Sequence, residues 1–376
     1  MNQRVFIIIL LLIAAALGGW IYYTTTQAAS AEPVQAISQK WWDSAHADIT
    51  SEAFVHWNED DPAEVPVFCA KCHSGQGFID YLGQDGSAAF AVDKPGPIES
   101  VVTCSVCHSD AAHALDKAIF PSGEEISGKG SSSTCMTCHS GMSAGANVDR
   151  TVADKALDEV MEGSSLIGPH YKIAAATNYG TDGKGGYEYT SKAYVGFFEH
   201  ADNVQTCTDC HDPHSLRIQN PYDQPNANLC ATCHPNVTGY ADYKDIYYED
   251  GIDYDGDGLV EGLYHEIAGM REVLVRAMTA YSTEVIGTTL GFGENYPYAY
   301  IDTNSDGELT EDEAVFPNAF KVFTPRLQKA AFNYMFSIED GGNYVHNGKY
   351  VLQLIYDSIE DLASVSSAST SGLVRP

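Results

Sequence analysis

The sequence predicts a chain whose first part is mostly irregular and whose last part is a small helical domain. Five pentapeptides of the form Cys-x-x-Cys-His lie between residues 69 and 234, and their spacing has no fixed period, which excludes a repeat array. Helix and strand patterns are sparse around them. Beyond residue 235 no cysteine remains, and three stretches place apolar residues at helical spacing.

The five pentapeptides carry the clearest chemistry in the chain. The pattern is typical of covalent haem attachment, in which two thiols bond to the macrocycle and the adjacent histidine is the proximal ligand of the iron. All ten cysteines fall in these motifs. Zinc knuckles and disulfides are the competing explanations, but neither requires a histidine after every second cysteine. The predicted attachment residues are Cys69, Cys72, His73, Cys104, Cys107, His108, Cys135, Cys138, His139, Cys207, Cys210, His211, Cys230, Cys233 and His234.

Histidines outside the motifs are candidates for the second axial ligand of each iron. A second histidine closes the iron to substrates and suits electron transfer. We predict this role for His46, His56, His170, His200 and His214, with His113 in reserve. His214 lies three residues after His211 and cannot reach the far face of the same haem, so it would serve a neighbouring one. His265 and His346 lie in the cysteine-free part and are expected to be ordinary hydrogen-bonded histidines.

One stretch of the last part matches a calcium-binding loop in full. Residues 302–313 follow the pattern D-x-[DN]-x-[DN]-G-x5-E. The predicted oxygen ligands are Asp302, Asn304, Asp306, Glu308 through its carbonyl, Thr310 and Glu313. An acidic surface turn is the competing explanation. The pattern therefore predicts an EF-hand-like calcium loop within the helical domain.

A second acidic stretch has only the first half of this pattern. It contains Asp253, Asp255 and Asp257, but the position of the bidentate carboxylate is occupied by Tyr264. Glu261 is the carboxylate that could compensate. The sequence therefore predicts a weaker calcium site here.

The N-terminus predicts export. Arg4 is followed by an apolar run from Val5 to Tyr23, as in a signal sequence. Ala29-Ser30-Ala31 resembles a cleavage site, whereas the length of the run and the aromatic residue Trp20 favour a membrane anchor. Both alternatives stay open. Either one places the rest of the chain outside the cytoplasm, in the periplasm or in the extracellular space.

These patterns divide the chain into three parts. Residues 1–31 are a signal peptide or membrane anchor, residues 32–235 a pentahaem cytochrome domain, and residues 236–376 a C-terminal helical calcium-binding domain. We expect helices over Gly262–Thr283, Phe320–Phe336 and Tyr350–Val365, a further helix over Thr151–Glu162, and a short hairpin within Gly180–Phe198. The formal net charge of −31 argues against nucleic acid as a partner.

On these residues the chain resembles the exported multihaem c-type cytochromes of environmental microbes, including membrane-associated and extracellular polyhaem cytochromes. The resemblance rests on the five motifs, on Cys210-His211-Asp212-Pro213-His214, and more weakly on Gly168-Pro169-His170-Tyr171. It implies a chain of bis-histidine haems that carries electrons across or beyond the cell envelope. Some similar proteins form filaments in which a histidine of one subunit ligates a haem of the next, and His46 is a candidate for that role.

The expected function is therefore electron transfer by a protein that has no substrate of its own. Redox proteins or extracellular electron acceptors are the expected partners, and a filament subunit is one possible form. The alternative is a pentahaem nitrite or hydroxylamine reductase with one open haem, a class that is similar in binding calcium. Such enzymes usually carry Cys-x-x-Cys-Lys at the active haem, and this chain has no such motif. A membrane quinol dehydrogenase would share the anchor but packs its haems into a shorter domain.

Overall fold

The computed structural model describes residues 33–201, 204–218, 229–248 and 251–376. Helices in its first part are short, three helices after residue 262 are long, and the strands have two or three residues each. The predicted fold class, mostly irregular with helices, therefore holds at this level.

Every Cys-x-x-Cys-His motif lies on or at the end of a short helix. The fourth motif shows how such a helix starts, because the Asp209 carboxylate accepts the backbone N–H of Thr206 at 2.7 Å and caps the first turn. The helices of the first part are α1 (Val34–Trp42), α2 (Glu52–Val55), α3 (Val67–His73), α4 (Gly75–Tyr81), α5 (Cys104–His108), α6 (Asp110–Ala114), α7 (Ser132–His139), α8 (Gly145–Val152), α9 (Ala174–Gly183), α10 (Cys207–Cys210) and α11 (Leu229–Cys233).

The strands form three small antiparallel pairs in the described residues. These are β1 (Glu64–Val65) with β2 (Gly96–Pro97), β3 (Lys117–Ile119) with β4 (Glu125–Ser127), and β5 (Leu290–Phe292) with β6 (Ala299–Ile301). The hairpin predicted within residues 180–198 does not form. Its backbone is used elsewhere, because the Gln353 side chain accepts the N–H of Val195 at 3.0 Å.

The three long helices follow the predicted apolar periodicity. They are α12 (Leu263–Tyr281), α13 (Pro325–Glu339) and α14 (Asn343–Ala363). Pro325 stands at the first helical position, as expected, and the Thr324 hydroxyl accepts the N–H of Leu327 at 3.2 Å. Short 3₁₀ segments lie at Tyr240–Asp245 and Phe316–Asn318, and a π-helical turn at Ser282–Ile286 extends α12. All three predicted C-terminal helices are confirmed.

The apolar core of these helices extends across the predicted boundary at residue 235. Val148, Ile173 and Tyr187 are buried in one apolar cluster with residues of α12, α13 and α14. The buried Asn333 side chain accepts the N–H of Tyr187 at 2.8 Å and donates to its carbonyl at 2.9 Å. The stretch between the third and fourth motifs therefore belongs to the helical core, and the division into domains at 235/236 must be redrawn.

The helix predicted over residues 151–162 is also displaced. The chain forms α8 earlier and leaves the helix after Val152. Asp158 explains the departure, because its carboxylate binds the buried Arg326 guanidinium at 2.7 Å and the Tyr281 hydroxyl at 2.8 Å. This contact with the C-terminal helices stabilises the fold by more than one further turn of exposed helix would.

In the described part of the chain, no helix combines the length and the apolar character needed to cross a membrane. The apolar run over residues 5–23, which predicts a signal peptide or anchor, lies outside the described residues.

The redrawn boundary can be tested at Gly186. A Cβ atom there would overlap the methyl groups of the buried Leu354 in α14, so we expect Gly186→Ala to lower the free energy of unfolding by about 1–3 kcal/mol. Urea unfolding followed by circular dichroism would measure it. Gly239→Ala, where a Cβ meets nothing within 4 Å, is the matched control. Equal stability of both variants would contradict a shared core.

Candidate haem-binding and calcium-binding sites

The motif helices place their three reactive groups on adjacent positions of one face. Cysteines at i and i+3 and a histidine at i+4 are neighbours on a helix surface. All ten cysteines lie in described residues, and none forms a disulfide. The disulfide explanation of the motifs therefore finds no support in the structure.

Each motif histidine faces a second histidine from a distant part of the chain. The distances between ring centroids are 5.7 Å for His73 and His170, 6.2 Å for His108 and His214, 6.3 Å for His139 and His46, 6.4 Å for His211 and His346, and 6.2 Å for His234 and His200. An imidazole nitrogen binds a transition metal at about 2.0–2.1 Å, so two imidazoles on opposite sides of one ion hold their ring centres roughly 6 Å apart. The five pairs therefore fit bis-histidine ligation of one iron each.

Hydrogen bonds orient the rings in the way that ligation requires. His73, His139 and His211 donate Nδ1–H to backbone carbonyls. Those acceptors are Ala53 at 2.9 Å, Lys172 at 2.7 Å and Leu216 at 3.0 Å. A ligating histidine characteristically donates its other ring N–H in this manner, which leaves Nε2 for the metal. The Nε2 atoms of His73 and His170 lie 3.4 Å apart, which is shorter than the roughly 4 Å that two nitrogen–metal bonds would span.

Burial keeps several of these imidazoles neutral. It lowers the pKa of His46, assisted by the facing His139, to about 4. Burial also lowers the pKa values of His170 and His200, each with a smaller contribution from the motif histidine opposite. The neutral ring is the form that binds metal. These three rings therefore have the protonation state that a haem iron needs.

The motif cysteines bring several motifs into contact with one another. The thiols of Cys72 and Cys138 lie close enough together to shift each other's pKa, and so do the thiols of Cys135 and Cys207. The third motif therefore touches both the first and the fourth.

The second and fifth motifs join the same cluster through the fourth. His214, three residues after the fourth motif, lies opposite His108 with 15° between the ring planes. Asp212 holds this turn, because its carboxylate accepts the N–H groups of His214 at 3.0 Å and Ser215 at 2.8 Å. Cys230 of the fifth motif lies close enough for its charge to raise the pKa of the Cys210 thiol, which burial raises first and foremost.

The structure brings four of the five predicted second ligands to a motif histidine, but not His56. The exposed His56 ring binds Glu52 at 2.7 Å, and Trp57 packs against both His56 and His73. In the described residues His56 makes no ring contact with a motif histidine. His113, the reserve candidate, packs edge-on against His108 at 5.9 Å, so His108 has two histidine neighbours.

His346, rather than His56, faces the remaining motif histidine. The sequence places it in a separate helical domain, which predicts an ordinary hydrogen-bonded role. Its ring instead faces His211, and its Nδ1 lies 2.8 Å from the buried Asp340 carboxylate. The one feature of the local sequence that could have pointed to His346 is Asp340-Gly-Gly, which begins six residues before it. His265, by contrast, lies against Asp245 at 3.4 Å.

The predicted calcium loop over residues 302–313 is tightly folded but is not flanked by helices. It follows β6 and leads into the 3₁₀ turn at Phe316–Asn318, so the helix–loop–helix of an EF-hand is absent there. Asp302 is 2% exposed, and its two oxygens accept the N–H groups of Ser305 at 2.7 Å and Gly307 at 2.9 Å. Gly307 has a φ of 87°, the conformation expected of the glycine in such a loop.

Glu313 closes the same loop. Its carboxylate accepts the N–H groups of Thr303 at 2.9 Å and Thr310 at 3.0 Å, together with both threonine hydroxyls. These hydrogen bonds lower the pKa of Glu313 to about 2. The carboxylate is therefore ionised at any physiological pH.

The second acidic stretch gains a carboxylate that the loop pattern does not contain. Oxygen atoms of Asp253, Asp255 and Glu266 lie within 4.8 Å of one another. Glu266 comes from the first turn of α12 and is 2% exposed. Burial and the neighbouring carboxylates raise the pKa of Asp255 to about 6. The predicted third ligand, Asp257, is instead exposed and accepts the N–H of Leu259 at 2.7 Å.

Each motif supplies two cysteines and a histidine, and each of these histidines faces a second one. This arrangement defines the class: the chain is a multihaem c-type cytochrome. A family model described as "Doubled CXXCH motif" matches residues 200–239, which contain the fourth and fifth motifs.

Two curated proteins of Geobacter sulfurreducens are similar to the chain. It is 27% identical to C-type polyheme cytochrome OmcB, over 83% of this chain and 46% of the relative. It is 26% identical to C-type polyheme cytochrome OmcC, over 83% of this chain and 45% of the relative. The chain thus spans about half the length of these relatives. No solved structure matches it.

The number of attached haems can be counted directly. We expect five covalent haems in the native chain and one fewer in the double variant Cys104→Ser, Cys107→Ser, because no thiol remains to hold the second haem. Intact-mass measurement under denaturing conditions, with a haem assay on the same sample, gives the count. Ser105→Ala, between the same two cysteines, is the matched control and should retain all five. A full count in the double variant would refute covalent attachment at this motif.

Proposed function

We propose that the chain carries electrons outside the cytoplasm through five c-type haems, each held by two histidines. This proposal rests on one observation: a second imidazole faces every motif histidine, with the ring centroids 5.7–6.4 Å apart. A c-type haem supplies an iron that gains or loses one electron at a time. The chain supplies the thiols that attach it and the imidazoles that keep its coordination unchanged between the two oxidation states.

We assign the second ligands on this geometry. His170 serves the first motif, His214 the second, His46 the third, His346 the fourth and His200 the fifth. Every motif histidine then has a partner within the same chain. His46 is therefore not needed by a neighbouring subunit, and exchange of His46 in a filament is not part of this proposal.

The contacts between motifs support transfer from one site to the next. Thiol contacts join the third motif to the first and to the fourth, and His214 joins the fourth to the second. Electron transfer requires neighbouring sites rather than isolated ones. This arrangement makes the third and fourth motifs the centre of the network.

A nitrite or hydroxylamine reductase is less well supported. Such an enzyme needs an iron with a free position for its substrate. In the described residues each motif histidine is opposed by an imidazole, which would occupy that position. We therefore propose an electron carrier, with redox proteins or extracellular electron acceptors as partners, exported by the segment over residues 1–31.

Electron paramagnetic resonance of the oxidised protein tests this function. We expect low-spin haems alone and no spectral change on adding nitrite or hydroxylamine. One high-spin haem per chain that binds either molecule would refute the electron-carrier proposal in favour of the reductase.

The same measurement separates the two candidate ligands that the sequence and the structure rank differently. His346→Ala removes the imidazole opposite His211, so we expect one haem per chain to become high-spin. His56→Ala, the matched histidine deletion, is expected to leave all haems low-spin because His56 faces Glu52 and Trp57. The opposite result would restore His56 as a ligand and exclude His346.

We also propose calcium in the loop over residues 302–313, with ligands from Asp302, Asn304, Asp306, Glu308 through its carbonyl, Thr310 and Glu313. The complete sequence pattern, the buried Asp302 carboxylate and the buried, ionised Glu313 carboxylate support it. A second calcium ion is proposed between Asp253, Asp255 and Glu266, with Glu266 in place of the missing bidentate residue.

Calcium binding at the first loop is expected to stabilise the fold. At about 100 times its dissociation constant, calcium would add about 2.7 kcal/mol to the free energy of unfolding. We expect Glu313→Gln to abolish most of the gain that this loop provides and Glu311→Gln, an exposed non-ligand position of the same loop, to preserve it. Thermal unfolding with calcium and with chelator measures the difference. An equal calcium response in both variants would contradict the loop as a site.

A further inference from the structure

One of the five histidine pairs has an acidic group in hydrogen-bond contact. The Nδ1 of His346 lies 2.8 and 3.0 Å from the two carboxylate oxygens of Asp340. His73, His139 and His211 donate Nδ1–H to neutral backbone carbonyls instead. In the described part of the chain, no other carboxylate hydrogen bonds to a ring nitrogen of these pairs, and Asp212 contacts only the backbone N–H of His214.

Placing the Asp340 carboxylate at its position costs free energy. It is 3% exposed, and burial of an ionised carboxylate is costly unless it is paired. Its hydrogen-bond partners are the His346 ring, the backbone N–H of Gly342 at 3.0 Å and the side chain of Thr177. No lysine or arginine among the described residues forms an ion pair with it. The negative charge therefore lies against the His346 imidazole, and it also acts at longer range on the rings of His139 and His211.

The surroundings hold His346 in this orientation. Asn178 donates to the backbone carbonyl of His346 at 3.0 Å. The next residue, Asn347, interrupts α14 with non-helical backbone angles and donates to the carbonyl of Gly196 at 3.0 Å. A Cβ atom at Gly342 would come within 2.8 Å of the His346 ring, so the glycine gives the ring its space. With Nδ1 bound to Asp340, only Nε2 remains to face His211.

We propose that Asp340 is a positioning and tuning residue that lowers the reduction potential of the haem attached at the fourth motif, Cys207, Cys210 and His211. This inference rests on the proposed ligation by His346. A carboxylate that accepts the Nδ1–H of a ligating histidine increases the electron donation of its ring, and such contacts are one of the protein's means of setting haem potentials. The negative charge stabilises the oxidised state relative to the state with one more electron. No bond forms or breaks, and the Nδ1 proton stays in the hydrogen bond.

Asp340→Asn tests this proposal, because asparagine keeps the shape and an acceptor oxygen but removes the charge. We expect the potential of one haem to rise, so that its ratio of reduced to oxidised form at a fixed potential increases about tenfold, or about 59 mV for one electron. Redox titration followed by electron paramagnetic resonance resolves the haems individually. Asp80→Asn is the matched control: Asp80 is 2% exposed and bonds to Ser87 and to a backbone N–H, not to a histidine.

His346→Ala identifies which haem is affected. The haem that becomes high-spin in this variant should be the one whose potential rises in Asp340→Asn. If His346→Ala creates no high-spin haem, the proposed ligation fails. If it does, but Asp340→Asn shifts no potential, or only as much as Asp80→Asn, then the tuning role of Asp340 alone is refuted.

A measurement on the native chain covers the case in which Asp340→Asn does not fold. The low-spin signal that is missing in His346→Ala should titrate at a lower potential than the signals lost in His170→Ala and His46→Ala. Those two haems have carbonyl acceptors on His73 and His139. A higher potential for the His346 haem would overturn the proposal.

Discussion

The facing of two histidine rings from separate parts of the chain is the constraint on which this structure depends. Each motif contributes two cysteines and one histidine, and the facing histidine comes from elsewhere. His170 is 97 residues from His73 in the chain, yet their ring centroids lie 5.7 Å apart. Each such pair requires the backbone to bring two separate segments together, which explains the short helices and irregular path before residue 235. The order of motifs along the chain therefore does not determine their order in space.

The long C-terminal helices serve as the scaffold for this return path. The segment that carries His170 is tied to α13, because Lys172 donates its N–H to the carbonyl of Glu339 at 3.0 Å. The segment that carries His346 is the break between the first turn of α14 and its remainder. Both histidine-bearing segments thus meet at the end of α13. The apolar core around the long helices therefore also positions two histidines.

Features that depend on local sequence were predictable, and features that depend on distant contacts were not. Apolar spacing located α12, and Pro325 located the start of α13. His346 was not predicted because its role depends on His211 and Asn178, which only the fold brings to it. Glu266 was not predicted for the same reason: it lies outside the loop pattern and reaches Asp253 and Asp255 from a helix. Residues 145–195 contain no cysteine, and the helical periodicity within residues 151–162 does not indicate which core they join.

The contacts behind the motif histidines make the five sites unequal even though the motifs are alike. A carbonyl acceptor carries a partial charge, whereas the Asp340 carboxylate carries a full one in a place with little water to screen it. The many carboxylates at the surface are screened by solvent and salt and contribute far less per residue. The direction in which an electron moves through such a network is set by differences between sites. If the histidine pairs hold haems as proposed, the acceptors of Nδ1–H would contribute to those differences, and these acceptors lie outside the five pentapeptides.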